Sequence, residues 1–310
     1  MPHLLFMLLS LLSFAIPLEA KWKLRDNVYV IDSEWSSEAP VEDVELICNV
    51  SDDKAGEVYW MKDQEKKGNG KILVTKVKEF LDAGNYTCWR GDTQEIISYN
   101  FLLISKKDSN GPRHSILKSF KEPNNRTYFK CEARNYSGIF VCSWITENRP
   151  SNVQFTIRKT VSCEAPVPTT KGSLTEYSVR CWKGSYCPFA EEHQQVEMFL
   201  EVIDDTEYEN STAKFFIRDI IKPDPPKCHY LAQNDTVSWK YPKSWSTPES
   251  YFPLTFRVRI ENKQNKNYAE IRDVDEQFTK VPMIKRKMVY IQARDRYYNS
   301  SWSSWSEVCR

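Results

Sequence analysis

The 310 residues include 43 basic and 42 acidic side chains, a formal net charge of +1. So even a balance excludes a chain that captures nucleic acid through its overall field. Aromatics make up 13% of the chain and glycine only nine positions, and with scattered Asn, Ser and Pro turns this composition suits β-sandwiches, more than one of them at this length.

Residues 4–16 form an apolar run, and Pro17-Leu18-Glu19-Ala20 places a small residue before Lys21. That is the pattern of a secretory signal peptide over residues 1–20. The run is shorter than the roughly twenty residues that span a bilayer, and no later stretch approaches that length. A soluble protein without a membrane anchor, secreted to the extracellular space, is expected. Seven Asn-x-Ser/Thr sequons fit a glycoprotein. Asn49 and Asn85 abut Cys48 and Cys88 and are expected to be less accessible, leaving Asn125, Asn135, Asn210, Asn234 and Asn299 as the expected carriers.

Residues 21–105 carry an immunoglobulin pattern. Val44-Glu45-Leu46-Ile47-Cys48 alternates apolar with polar, Trp60 follows twelve residues later, and Gly84-Asn85-Tyr86-Thr87-Cys88 supplies a tyrosine two residues before the second cysteine. A disulfide packed on a tryptophan, with a tyrosine hydroxyl closing the corner, defines this sandwich. A polar break from Lys106 to Pro112 opens a second domain, residues 106–222. Cys131 and Cys142 bracket ten residues with a turn cluster, Trp144 shares the face of Cys142, and Cys163 pairs with Cys181 across a longer excursion. Residues 215–221 read as its final strand.

Lys222-Pro223-Asp224-Pro225-Pro226 is a stiff elbow. The third domain, residues 223–310, closes on Trp302-Ser303-Ser304-Trp305-Ser306. Indoles three residues apart share a face in a polyproline-II path. Arg294 and Arg296 share strand parity and are expected to interleave with Trp302 and Trp305 as a cation–π ladder, at about 0.5–2 kcal/mol per contact. Cys228 and Cys309 lie near the same end of such a sandwich and form a geometrically reasonable fourth pair.

Nine cysteines cannot all pair internally, and Cys187 is left over. An unpaired thiol in an oxidising compartment signals an intermolecular bond or a reactive group. The fold class expected is all-β: an immunoglobulin-like sandwich followed by two fibronectin type III sandwiches, since the Cys131–Cys142 spacing with Trp144 resembles the first fibronectin-type module of class I cytokine receptors.

This arrangement, with no anchor, resembles the family of the beta subunit shared by interleukin-12 and interleukin-23. The likeness covers the whole mature chain. It is most specific at Tyr208-Glu209-Asn210, Phe215 through Lys227, Ser244-Trp245-Ser246-Thr247-Pro248 with Ser250-Tyr251-Phe252, and Asp295-Arg296-Tyr297-Tyr298. The resemblance implies that Cys187 bonds a four-helix alpha subunit. It implies that Asp295 lies at the bottom of a pocket for an arginine of that subunit, lined by Tyr136, Tyr251 and Tyr297, with Glu191 nearby. It further implies that Trp35, Glu79, Phe80 and Lys106 engage a cell-surface cytokine receptor. Taken without the resemblance, Asp295 reads at least as well as a local cap. Phe80 reads as a core residue and Trp35 as one exposed aromatic among many. The family's usual partner for the terminal cysteine is absent around Pro282-Met283-Ile284-Lys285, and Cys228 sits where the family has none, which suggests a divergent, non-mammalian member.

The function expected is therefore a heterodimeric-cytokine subunit, with a homodimer through Cys187 as the other arrangement the odd cysteine allows. A soluble receptor alpha chain that binds reversibly is the alternative, and it has no need of a spare thiol. An enzyme is not expected: His114, His193 and His229 are scattered, and no phosphate loop, metal-ligand spacing or nucleophile elbow occurs. No cofactor and no metal are expected.

Overall fold

The computed structural model describes residues 21–34, 36, 38–109, 111–120, 126–147, 153–184, 192–231, 234–264, 269–298 and 300–310. Among the described residues the regular elements are β-strands, apart from three short 3-10 turns. The chain divides into two compact units, residues 1–113 with 205–208, and residues 114–204 with 209–310.

In the first unit Glu42–Ile47 pairs antiparallel with Ile72–Val77. Its alternating sequence sends Val44 and Leu46 inward and Glu45 and Ile47 to solvent. A second sheet joins Val58–Lys62, Gly84–Arg90 and Ile96–Asp108, with Val28–Glu34 parallel to the last of these. The Cys48–Cys88 disulfide joins the two sheets, and Trp60, fully buried, belongs to the same core. Trp60 Nε1 donates to Gly70 O at 3.0 Å, so the indole is buried without an orphaned donor. Tyr86 closes the corner, its hydroxyl donating to Asp82 O at 2.7 Å. Gly84 enters that strand at φ +116°, a conformation only glycine adopts freely. The polar run from Lys106 does not end the strand. Lys106 is buried against Glu79, and Lys107 reaches Asp32 at 2.6 Å, so Ile96–Asp108 continues past both.

In the second unit Ile139–Glu147 and Leu174–Trp182 are the central strands of one sheet. Cys131 lies directly opposite Cys142, and Cys163 opposite Cys181, and each pair is bonded. Trp144, two residues from Cys142 and fully buried, stacks on Tyr177 at 5.5 Å. Val196–Asp204 pairs with Gln154–Lys159 on one side and neighbours Glu207–Phe215 on the other. That strand stops at Phe215, which corrects the expectation of a strand through residue 221: Ile217–Ile220 is a 3-10 turn. Its cause is local. Asp219 accepts the Phe216 amide at 2.9 Å, and the buried Glu192 carboxylate accepts the amides of Ile217 and Arg218 at 3.1 and 3.3 Å, so these donors are unavailable to a ladder.

Further along the second unit are two three-stranded sheets, Lys227–Leu231 with Thr236–Lys240 and Phe278–Lys280, and Ala269–Val274 with Leu254–Asn262 and Lys287–Asp295. Residues 300–309 run beside Lys287–Asp295 with a period of three. The amides of Ser303, Ser306 and Cys309 donate to the carbonyls of Ala293, Ile291 and Val289. In return, the hydroxyls of Ser300, Ser303 and Ser306 accept the amides of Asp295, Ala293 and Ile291, each at 2.9 Å. Trp302 and Trp305 therefore share the outer face. Arg294 lies 4.7 Å and Arg257 4.2 Å from the Trp302 ring centre, and Arg259 lies 5.8 Å from that of Trp305. Arg296 is not a rung, a correction to the expected ladder. The strand ends at Asp295, parity lapses, and the Arg296 guanidinium donates to Leu254 O at 2.9 Å and pairs with Asp275 at 3.2 Å. Arg257 and Arg259, alternate residues of the neighbouring strand, take the places the sequence had given to Arg296. The fourth disulfide joins Cys228 to Cys309.

Candidate functional site

The second unit's turn around residues 133–138 is tied to its Pro-rich segment and to the loop at residues 244–252. Ala133 N donates to Ile220 O at 2.9 Å, and Lys222 N to Ala133 O at 2.8 Å. Asn135 Nδ2 donates to Ser244 O, the Tyr136 amide to Ser246 Oγ at 3.0 Å, and Ser244 Oγ to Asp224 at 2.6 Å. Trp245 braces the far end of the loop through its Nε1, which donates to Phe252 O at 2.8 Å.

These bonds bring Tyr136 over the end of the strand Lys287–Asp295. Asp295 is 2% exposed. Its Oδ1 accepts the amides of Tyr297 and Tyr298 at 2.8 and 2.9 Å, and its Oδ2 accepts the Tyr136 hydroxyl at 3.2 Å. Each carboxylate oxygen offers two acceptor positions, so Oδ1 is filled and Oδ2 keeps one. Burial pushes the Asp295 carboxyl above the usual carboxylate range, outweighing the three hydrogen bonds, which favour the charged form. A carboxylate desolvated in this way is a strong acceptor for a cation that brings its own donors.

Around it Tyr136, itself buried, stacks on Phe252 at 5.1 Å and meets Trp245 edge-on at 6.0 Å. Tyr251 and Tyr297 remain 46% and 69% exposed and form an aromatic rim. Together they enclose a cavity of about 280 Å³ with Asp295 in its lining, room for one long side chain. The structure thus brings together Tyr136, Tyr251, Asp295 and Tyr297. Asp295 is also the local cap, and the two roles use different lone pairs. Phe252 and Tyr298 belong to this lining as well, and the sequence had offered only their adjacency to Tyr251 and Tyr297 as a signal. Cys187 and Glu191 lie outside the described residues. Their segment is flanked by Lys183 and Glu192, whose side chains approach to 3.5 Å, and Lys183 Nζ also donates to Gln194 O at 2.8 Å.

A larger cavity of about 710 Å³ lies elsewhere on this unit, among Lys130, Glu132, Arg180 and Lys222. Burial works against ionisation of Glu132, yet Lys222 and Lys130 hold its carboxyl below the usual range. Lys222 pairs with Glu132 at 2.9 Å and Arg180 with Glu164 at 3.4 Å. With these charges already matched to one another, the smaller pocket is the better acceptor.

In the first unit, Asp82 Oδ2 accepts the amides of Lys78 and Glu79, both at 2.9 Å, and fixes the turn that presents Glu79 and Phe80. Lys106 is 4% exposed. Its ammonium bonds Glu79 at 2.8 Å and lies 4.9 Å from the Phe80 ring centre. It is a prop beneath the turn, not a surface contact. Phe80 packs against the core while Glu79 remains half-exposed. Trp35 lies outside the described residues.

Among the sequons, Asn125 and Asn299 lie outside the described residues. Asn234 is exposed and Asn210 half-buried, whereas Asn135 has its amide tied at both ends, to Ser244 O and to the Ser137 amide. Asn49 and Asn85 are exposed, a correction to the expectation that neighbouring cysteines would hide them. Alternation along a strand turns adjacent residues to opposite faces.

A family model described as Cytokine interleukin-12p40 C-terminus matches residues 126–204. Interleukin-12 subunit beta of Felis catus is 42% identical, covering 97% of this chain and 96% of its own length. Those of Sus scrofa and Homo sapiens are 41% and 40% identical, each covering 96% of both chains. The chain belongs to the interleukin-12 subunit beta family. This is a family of cytokine subunits and not of enzymes. The aromatic pocket and the pinned flanks of the Cys187 segment are thus features of an interleukin-12 beta-type chain.

Proposed function

We propose that this chain is a secreted, soluble-receptor-like subunit that holds a four-helix alpha subunit and presents the pair to a cell-surface cytokine receptor. Its modules are a signal peptide at 1–20, an immunoglobulin-like domain at 21–105 and fibronectin type III domains at 106–222 and 223–310. The observation that carries the reading is the Asp295 pocket, a desolvated carboxylate with one open acceptor position under an exposed aromatic rim. An arginine of the helical partner supplies both the missing charge and the donors, while the tyrosines exclude water around it.

Eight of the nine cysteines close on one another. Cys187 is the ninth, and in this reading a bond from its sulfur to the alpha subunit keeps even a modest interface saturated. The turn at Glu79 and Phe80, propped by Lys106, is the receptor-facing element, and Trp35 is a further receptor-engaging residue. Among the described residues no helix is long and apolar enough to cross a membrane.

Co-expression with a helical alpha subunit tests the reading. Cys187→Ser is expected to abolish the covalent heterodimer on a non-reducing gel yet leave non-covalent capture. Adding Asp295→Asn then weakens capture about 30-fold or more, because breaking a buried charge pair costs about 2–5 kcal/mol and each 1.4 is tenfold. A parent protein that co-purifies with the helical subunit but never shifts on the non-reducing gel would reduce it to a reversible receptor.

A further inference from the structure

The outer face of the first unit's larger sheet has a feature the proposed function does not use. Tyr59 and Trp89 face each other across neighbouring strands, their rings stacked with centres 6.5 Å apart. Trp89 Nε1 donates to Thr87 Oγ1 at 2.7 Å. On the next strand Tyr99 lies opposite Thr87 and Phe101 opposite Asn85. Tyr99 is 44% exposed. A row of aromatics on one open sheet face marks a surface that something covers.

Asn85-Tyr86-Thr87 is a sequon in the middle of that face. Asn85 is exposed, and its side-chain amide has no hydrogen-bond partner among the described residues. Residues directly opposite on one face of an antiparallel pair have Cβ atoms only about 4.5–5.5 Å apart, and diagonal neighbours about 7–8 Å. A first sugar attached to Asn85 would therefore fall against Phe101, and a second would reach Tyr99. Pyranose rings present flat C–H faces, which suit the negative faces of aromatic rings.

We infer that Asn85 carries an N-linked glycan whose core sugars lie on Phe101, Tyr99 and Trp89 and cover this face of the immunoglobulin-like domain. The bond formed joins Asn85 Nδ2 to the anomeric carbon of an oligosaccharide. The bond broken joins that carbon to the diphosphate of a lipid-linked donor. The diphosphate leaves with the electron pair, and the Asn85 amide gives up one proton. Because the glycan is tethered beside its platform, it needs little intrinsic affinity to stay there. A second copy of the chain or an unrelated protein has no such tether.

The experiment uses the full chain secreted from cells that glycosylate. Site-resolved glycopeptide mass spectrometry is expected to find Asn85 occupied, and an unmodified Asn85 peptide overturns the proposal. Parent, Asn85→Gln and Asn234→Gln are then compared for binding of an anilinonaphthalene sulfonate dye and for tryptophan emission. The Asn85 variant is expected to bind more dye and to red-shift its emission, whereas the Asn234 variant behaves as the parent. Trimming the parent to a single sugar separates the layers: dye binding stays low if the first sugar does most of the covering and rises if the outer core does. Dye binding and emission identical in all forms, with the Cys48–Cys88 bridge intact, overturn the packing of the glycan on the aromatic row. Self-association that appears equally with and without the Asn85 glycan overturns it too.

Discussion

At the scale of the residue, Asp295 is a charge held at a disadvantage in the free chain. Its carboxyl lies above the unfolded value near 3.8 because burial disfavours the charged form. A folded pKa above the unfolded one gives a contribution to stability that is fully present below that unfolded value and lost as pH rises through the folded one. At neutral pH the free chain therefore carries a strain that the proposed arginine of the helical partner would relieve. Asp295→Asn keeps an acceptor for the amides of Tyr297 and Tyr298 and removes the charge. Urea titrations are expected to show the variant more stable than the parent at pH 7 and level with it below pH 3.8, while it loses affinity for the helical partner. A variant that is less stable at pH 7 makes Asp295 a cap and nothing more.

At the scale of the element, the segment at residues 300–309 shows how a period of three is fitted to a strand of period two. Each third residue, a serine at 300, 303 and 306, lends its hydroxyl to an amide that the segment's own backbone cannot reach. The serines are thus as structural as the indoles between them. Ser306→Ala leaves the buried Ile291 amide without an acceptor and is expected to cost about 1–3 kcal/mol. Amide exchange should quicken at Ile291 first, with thermal unfolding reporting the loss. The pattern of indoles and serines was legible in the sequence, as was the involvement of Arg294. That Arg257 and Arg259 complete the ladder was not. Parity along one strand does not say which side chains of the next strand lie beside it, nor where the strand ends.

For the molecule as a whole, four bridges and one spare sulfur organise the proposed function. Cys228–Cys309 closes the longest loop, 81 residues, and Tyr230 N donating to Arg310 O at 3.0 Å continues the same junction. Replacing both cysteines by serine is expected to cost about 2–5 kcal/mol in chemical denaturation. The covalent heterodimer through Cys187 should persist on non-reducing gels. If the double variant scrambles Cys187 into its own chain, the separation of structural and intermolecular sulfurs fails.

The sequence by itself determined the all-β class, because alternation and the cysteine, tryptophan and tyrosine spacing are local signals that need no distant partner. It also determined, through an odd number of cysteines and the likeness at Asp295 and its neighbours, where to look for the site. Only the tertiary structure decided that Asp295 meets a residue 159 positions away, that Lys106 is a buried prop, that Arg296 leaves the ladder and that Asn85 stands open on an aromatic face. The physical reason is one of range. A side-chain period fixes which face a residue takes, but burial, charge pairing and the pKa that follows depend on which faces are brought together, and that depends on packing between elements far apart in the chain.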